Sequence, residues 1–181
     1  MRWQLLFDDL EAQLDRRAAS DLIAEVAERV RAERATIGLA ERLLAHGGQD
    51  LRLVLTDGEV CGRVADVAPQ WLLLEEGSAQ VLVPATALVA VRGLGRAVAQ
   101  EPGTVLRRLS LGHALRALAR DRNAVTVCAA GSVLTGTVDR VGSDHLDLAV
   151  HAPGEPRRAG AVTAVLAVSF AHIQSVRSSV G

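Results

Sequence analysis

The chain has 181 residues, 49% of them hydrophobic, and a net charge of -1; this is enough apolar surface for a packed core and excludes the disordered class. Aromatic residues are 2% of the chain and Tyr is absent, which argues against a nucleic-acid platform of stacked rings. The 20 basic residues, all Arg, are offset by 21 acidic ones, so no overall basic surplus marks the chain for phosphate partners.

From the N-terminus, Trp3, Phe7, Leu10 and Leu14 recur at helical spacing and form one apolar stripe, so the first element is expected to be an amphipathic helix. Trp3 and Phe7 are costly to expose, which makes the stripe Trp3, Phe7, Leu10 and Leu14 the candidate surface for a protein partner. Ser20-Asp21 offers N-cap chemistry, and Ile23, Val26, Val30, Ile37 and Leu44 continue a helical stripe up to His46-Gly47-Gly48, where glycine ends it. The helix either breaks near Ser20 or runs through it. The interrupted apolar pattern of residues 1–14 is not that of a secretory signal, and no run reaches the roughly 18 apolar residues of a membrane span. A cytoplasmic location without membrane contact is expected.

Leu51 to Leu55 alternates as a strand does, and Asp57-Gly58 is a tight-turn signal into Val60–Val67, where Gly62 marks a bend. Trp71–Leu74, Val81–Val83 and Leu88–Arg92 are the next strands, separated by turns at Pro69-Gln70 and Gly77-Ser78 and by Pro84. Residues 93–103 read as a Gly/Pro-containing connector. Val105 to Arg122 then reads as a helix with Val105, Leu109, Leu111, Leu115 and Leu118 on its apolar face.

From Val125 the strand pattern returns. Gly62, Val64, Val67, Trp71 and Leu72 fall on Gly136, Val138, Val141, His145 and Leu146 at a constant offset of 74 residues. After the longer loop His151–Gly160 the offset becomes 85, and Val83, Leu88, Val91 and Arg92 fall on Val168, Ile173, Val176 and Arg177. Such internal repetition decides the architecture. The expected fold is mainly β with helices: two tandem five-stranded barrels, each preceded by a helix, plus an N-terminal amphipathic helical arm. The boundaries are a helical arm over 1–48, a first barrel over 49–94, a linker and helix over 95–123, and a second barrel over 124–181.

A helix followed by a bent five-stranded barrel with well-placed glycines resembles the Sm-like fold, one of the SH3-like barrels. The matching residues are Leu53, Leu55, Gly58, Gly62, Val64, Leu72 and Leu74 in the first copy, and Val125, Val127, Gly131, Gly136, Val138, Leu146 and Leu148 in the second. The whole chain, with its opening MRW-x-x-LF-x-DLE, is also similar to a family from high-GC Gram-positive bacteria, the actinobacteria, some of whose members carry an automatic "Fis family regulator" label. That label implies a C-terminal helix-turn-helix, whereas residues 161–181 are strand-like and nearly uncharged. The Sm resemblance implies an RNA site in the loop after the second strand and near the last. Here those loops are Asp66–Gln70 and Asp139–Asp144, without the expected aromatic and Asn, and Arg92-Gly93 is followed by Leu94. Fold alone does not restore the activity. The resemblance further implies association through fourth and fifth strand edges, since unpaired edges invite pairing.

Candidate chemistry is sparse. Cys61 and Cys128 lie in strands with no ligand-spaced neighbour and read as small core residues. His46, His113, His145, His151 and His172 are scattered and read as surface or strand-edge residues. Ser143-Asp144-His145 reads as turn chemistry, since a triad needs convergence in space and an oxyanion hole. No catalytic, cofactor or metal site is expected, and none of the residues argues for an enzyme. One basic cluster remains: Arg107, Arg108, Arg116, Arg120 and Arg122 on the second helix, with Arg157 and Arg158 at a loop tip. These seven are the candidate phosphate contacts for RNA or DNA. The competing reading, which takes precedence, is a solvated face balanced by Glu11, Asp15, Glu25, Glu28, Glu33 and Glu41. The expected function is a self-associating adaptor or scaffold, a homo-oligomer, with nucleic-acid binding as the alternative.

Overall fold

The computed structural model describes residues 22, 24–32, 35–99, 109–154, 157–158 and 160–179. The stripe Trp3, Phe7, Leu10 and Leu14, with Arg107 and Arg108, lies outside the described residues. The chain divides into two compact units, residues 1–38 and residues 39–181. In the first, residues 24–32 are helical (α1), with Arg29 bonded to Glu25 and Arg31 to Glu28 along its surface, and Val26 and Val30 exposed.

The second unit contains α2 (Leu39–Leu44), β1 (Asp50–Leu55), β2 (Gly58–Ala68), β3 (Trp71–Glu76), β4 (Ala79–Pro84) and β5 (Leu88–Arg92). There follow α3 (Leu111–Asp121), β6 (Ala124–Ala129), β7 (Ser132–Val141), β8 (His145–Val150), β9 (Ala164–Ser169) and β10 (Ile173–Ser179). Alternation makes the strands: β1 turns Leu51, Leu53 and Leu55 inward and leaves Asp50 and Arg52 outside. α3 starts at Ser110, whose hydroxyl accepts the His113 N–H, and ends at Arg122 in the left-handed region at φ 51°. The helix expected from Val105 is therefore described from Leu111, where a cap begins it.

The repeat holds pair by pair. Strand β1 pairs with β2 from Asp50–Arg63 to Leu55–Gly58, and β6 pairs with β7 from Ala124–Thr137 to Ala129–Ser132. Trp71 faces Pro84 as His145 faces Ser169. Both long strands carry a bulge at the same place, between Val64 and Asp66 and between Val138 and Arg140. Gly62 and Gly136 are required there, because a Cβ would run into the Glu75 and Ala149 carbonyls respectively. The first tight turn is one residue earlier than expected: Leu55 faces Gly58, so Thr56-Asp57 form the loop. Its counterpart is Ala130-Gly131, with φ 44° and 78°, the positive pair of a type I′ hairpin.

The ladders do not close into two separate barrels. All ten strands form one open antiparallel sheet in the order β5-β1-β2-β3-β4-β10-β6-β7-β8-β9. The reason is that β4, the outer strand of the first block of five, finds its hydrogen-bond partner in β10 of the second rather than in its own block. The core follows the same logic. One apolar cluster lies in the first block, around Leu43, Leu53, Leu72, Leu74, Val81 and Val83. The other lies in the second block, around Leu115, Val127, Leu146, Leu148 and Ile173, but also takes in Ala68, Trp71 and Leu82 from the first. Two blocks thus share one core at their junction.

Candidate functional site

At the junction, Val176 faces Leu82, Arg177 faces Val81 and Ser178 faces Gln80. Four side-chain contacts join the two blocks here. Arg177 pairs with Glu76 at 2.5 Å. Asp57 in the first β-turn accepts the N–H of Gly131 in the equivalent turn of the second block at 2.7 Å. Gln70 and Trp71, at the β2–β3 turn, hold the start of α3: Gln70 Oε1 accepts the Leu111 N–H at 3.0 Å, and Trp71 Nε1 donates to the Leu109 carbonyl at 3.1 Å. Trp71 is only 5% exposed. Beside it lies an apolar cavity of about 430 Å³ between the β3–β4 face and α3, walled by Trp71, Leu73, Leu82, Leu109 and Leu118, with Arg120 and Asp121 on its lining.

Each outer strand is paired along one edge only. A sheet in which β4 is covered by β10 still has β5 at one end and β9 at the other. Residues 164–169, Ala-Val-Leu-Ala-Val-Ser, contain no charge and no Pro, and every residue but Val168 is exposed. In the covered strand β4, by contrast, Val81, Leu82, Val83 and Pro84 are all buried. Natural sheets usually blunt such an edge with charge, Pro or a bulge, and β9 has none of these. The opposite edge, β5, exposes Val89 and Ala90.

The expected arginine face is dispersed in use. Arg116 donates to the Gly142 carbonyl at 3.2 Å. Arg120 lies on the cavity lining, and Arg122 is the C-cap of α3, its N–H on the Ala119 carbonyl. Arg157 grips Asp139 with both Nε and Nη2, at 2.6 and 2.7 Å, and that carboxylate raises its already high pKa. Arg158 is exposed at the loop, where its carbonyl accepts the N–H groups of Ala161 and Val162. No group of three or more His, Cys, Asp or Glu capable of holding a metal occurs among the described residues, and no helix among them is long and apolar enough to cross a membrane.

Two histidines depart from expectation. His46 and His151 are 4% and 3% exposed rather than on the surface. His46 Nδ1 lies 2.7 Å from the Arg42 carbonyl, so it carries the hydrogen, and Nε2 accepts the Gly95 N–H at 2.9 Å. His151 likewise places Nδ1 on the Ala152 carbonyl at 3.0 Å and Nε2 on the Thr137 hydroxyl at 3.0 Å. Each ring satisfies two polar groups in an apolar setting, which is why burial is tolerated. Cys61 is exposed and Cys128 half-buried, both as free thiols, so neither is the core residue its strand position suggests.

Asp144 and His145 stand at the β7–β8 turn, where Gln70 and Trp71 stand at the β2–β3 turn. They hydrogen-bond one another, Oδ1 to Nδ1, at 2.8 Å, and this bond holds the Asp144 carboxyl below its ordinary pKa. Asp144 is open to solvent, with 84% of its side chain exposed, and His145 is half-buried. Asp57, Glu76, Arg177, Gln70 and Trp71 escaped the sequence reading as residues of the junction between the blocks. The available signal was the offset itself, which lays Trp71 on His145. Compared with known proteins, the chain matches no family model and no curated protein.

Proposed function

We propose that this chain is a non-enzymatic, self-associating cytoplasmic adaptor or scaffold built on two repeated, Sm-like blocks of five strands joined in one open sheet. Copies join head to tail, the β5 edge of one pairing with the β9 edge of the next. One observation carries the reading: the β4–β10 pairing inside the chain joins a fourth-strand edge to a fifth-strand edge, and the strands left over are one of each kind. A heterologous contact of this type generates rings when its rotation closes and filaments when it does not.

The joint between copies is weaker than the joint within one. Glu76 falls on Val150 and Asp57 falls on Gly131 at the repeat offset, so the ion pair and the turn-to-turn hydrogen bond have no counterparts there. Association is therefore reversible and concentration dependent. Light scattering on the full chain from low to high micromolar concentration tests this. A mass rising in multiples of 19.1 kDa is expected; a constant mass of one chain, with no protein partner captured from native lysate, would sink the proposal. Nucleic acid is the rival outcome. An RNA and DNA gel-shift series in rising salt checks it, and retardation that fades with salt would shift the reading to the arginine face. Arg157 and Arg116 are already engaged with Asp139 and the Gly142 carbonyl, which is why the scaffold reading is preferred.

A further inference from the structure

We infer that Asp144 and His145 are a docking pair for the start of α2 in a second copy of this chain, an inference that rests on the head-to-tail reading above. The template is inside the molecule. Where the first block meets the second, Gln70 accepts the N–H of Leu111, the first residue of α3, and Trp71 donates to the Leu109 carbonyl and shares the junction core with Leu111. The repeat places Asp144 and His145 on Gln70 and Trp71: Trp71 opens β3 and pairs with Pro84, and His145 opens β8 and pairs with Ser169.

The other half of the contact is also repeated. Leu39 opens α2 as Leu111 opens α3, and four residues further on Leu43 and Leu115 are the deeply buried residues of each helix. At the internal junction Leu111 is 8% exposed; at the free end Leu39 is 45% exposed. The same contrast holds on the strands. Leu82 is buried in the junction core, and Ala167, its counterpart on β9, is exposed.

Three separate surfaces are thus more open at the outer ends of the sheet than at the junction: the second residue of the turn pair, half-buried as His145 and 5% exposed as Trp71, the first residue of the helix, and the fourth-strand edge. A second copy applied through its β5 edge covers all three at once, because α2 precedes β5 in its block as α3 precedes β10 in the other. Asp144 has a second carboxylate oxygen with which to accept the Leu39 N–H, a charge-assisted bond where Gln70 makes a neutral one. The His145 ring takes the place of the indole beside the opening of the helix.

The experiment is a concentration series by sedimentation velocity on the full chain in four forms. Ala167→Lys places a charge on the β9 edge and is expected to hold the protein at one chain. Asp144→Ala/His145→Ala is expected to raise the dissociation constant at least tenfold, with circular dichroism unchanged and Tm little changed, because Asp144 is exposed and His145 is only half-buried. Asp144→Gln/His145→Trp rebuilds the internal pair and is expected to associate at least as tightly as the parent. If the Ala pair associates like the parent while Ala167→Lys does not associate, the docking inference fails and the edge reading survives. If the parent is monomeric throughout, or Ala167→Lys leaves association untouched, both fail.

Discussion

The carboxylate of Asp57 and the backbone N–H of Gly131 lie 2.7 Å apart, and the two residues hold the same position in the two halves of the repeat. Equivalent turns of the two blocks therefore touch, and only the first carries a side chain that can bridge them. Replacing Asp57 by Ala removes the bridge and is expected to lower unfolding free energy by about 1 kcal/mol, the usual net worth of a hydrogen bond at a partly exposed site. Urea denaturation checks this: the midpoint should fall with an unchanged slope.

Ala130 sits at φ 44°, in the left-handed region that costs a residue with a Cβ roughly 1 kcal/mol. The turn demands this conformation, since two positive φ values match the twist of the flanking strands. Ala130→Gly relieves the strain but loosens the unfolded chain, so a net gain of roughly 0.5 kcal/mol is expected. A small rise in Tm is the readout, and a fall would show that the Ala methyl makes contacts that outweigh the strain.

The extent to which this architecture could be read from the residues follows from where the information lies. Gly62 and Gly136 mark the bends because a backbone carbonyl leaves no room for a Cβ, a local requirement that recurs at a fixed offset. Alternation in Leu51, Leu53 and Leu55 is equally local. The partner of an edge strand is not: nothing in Ala79–Pro84 says whether β4 closes on its own block or pairs with β10, and two closed barrels were expected where one open sheet forms. His46 shows the same limit, since its acceptor role is met by an amide 49 residues away. The bare edges are legible only in composition, as a strand without charge, and the docking pair rests on the helix that Gln70 and Trp71 hold across the junction.

Trp71 joins the two blocks by burial and by one directional bond, and the two can be separated. Trp71→Phe keeps most of the apolar area and leaves the Leu109 carbonyl without its donor, at an expected cost of about 1–2 kcal/mol. Trp71→Ala also opens a large void beside the existing cavity and should cost about 3–5 kcal/mol. Chemical denaturation of both variants measures the difference. Equal losses would mean that the indole contributes through its N–H alone.

His46 ties the segment after β5 to α2. Its Nε2 accepts the Gly95 N–H, Arg42 Nη2 donates to the Gly95 carbonyl at 2.7 Å, and a Cβ on Gly95 would meet Nε2 at 2.8 Å. Gly95→Ala should therefore expel the ring. His46→Ala leaves a partly buried carbonyl and amide without their partner and is expected to cost about 1–2 kcal/mol. Native-state hydrogen exchange gives the local test: the Gly95 amide should lose protection in both variants, while amides of β7 and β8 keep theirs.

Asp144 carries the clearest pH signature. Its hydrogen bond from His145, aided by the charge of the ring, holds the carboxyl below the ordinary range of about 4. A lowered folded value means that the unfolded state takes up the proton first as pH falls. The contribution of the pair is thus complete above pH about 4 and is lost below it, as pH passes the folded pKa. Because Asp144 is fully exposed, water and salt screen the pair, and the effect should be visible at the residue and small in global stability. A carboxyl-detected NMR titration should place the Asp144 midpoint below that of a model Asp. In His145→Ala the midpoint should return to the ordinary value, and raising the salt should move the parent part of the way. A midpoint unmoved by the substitution would assign the shift to the remaining turn contacts, the Ser143 hydroxyl and the Asp144 backbone.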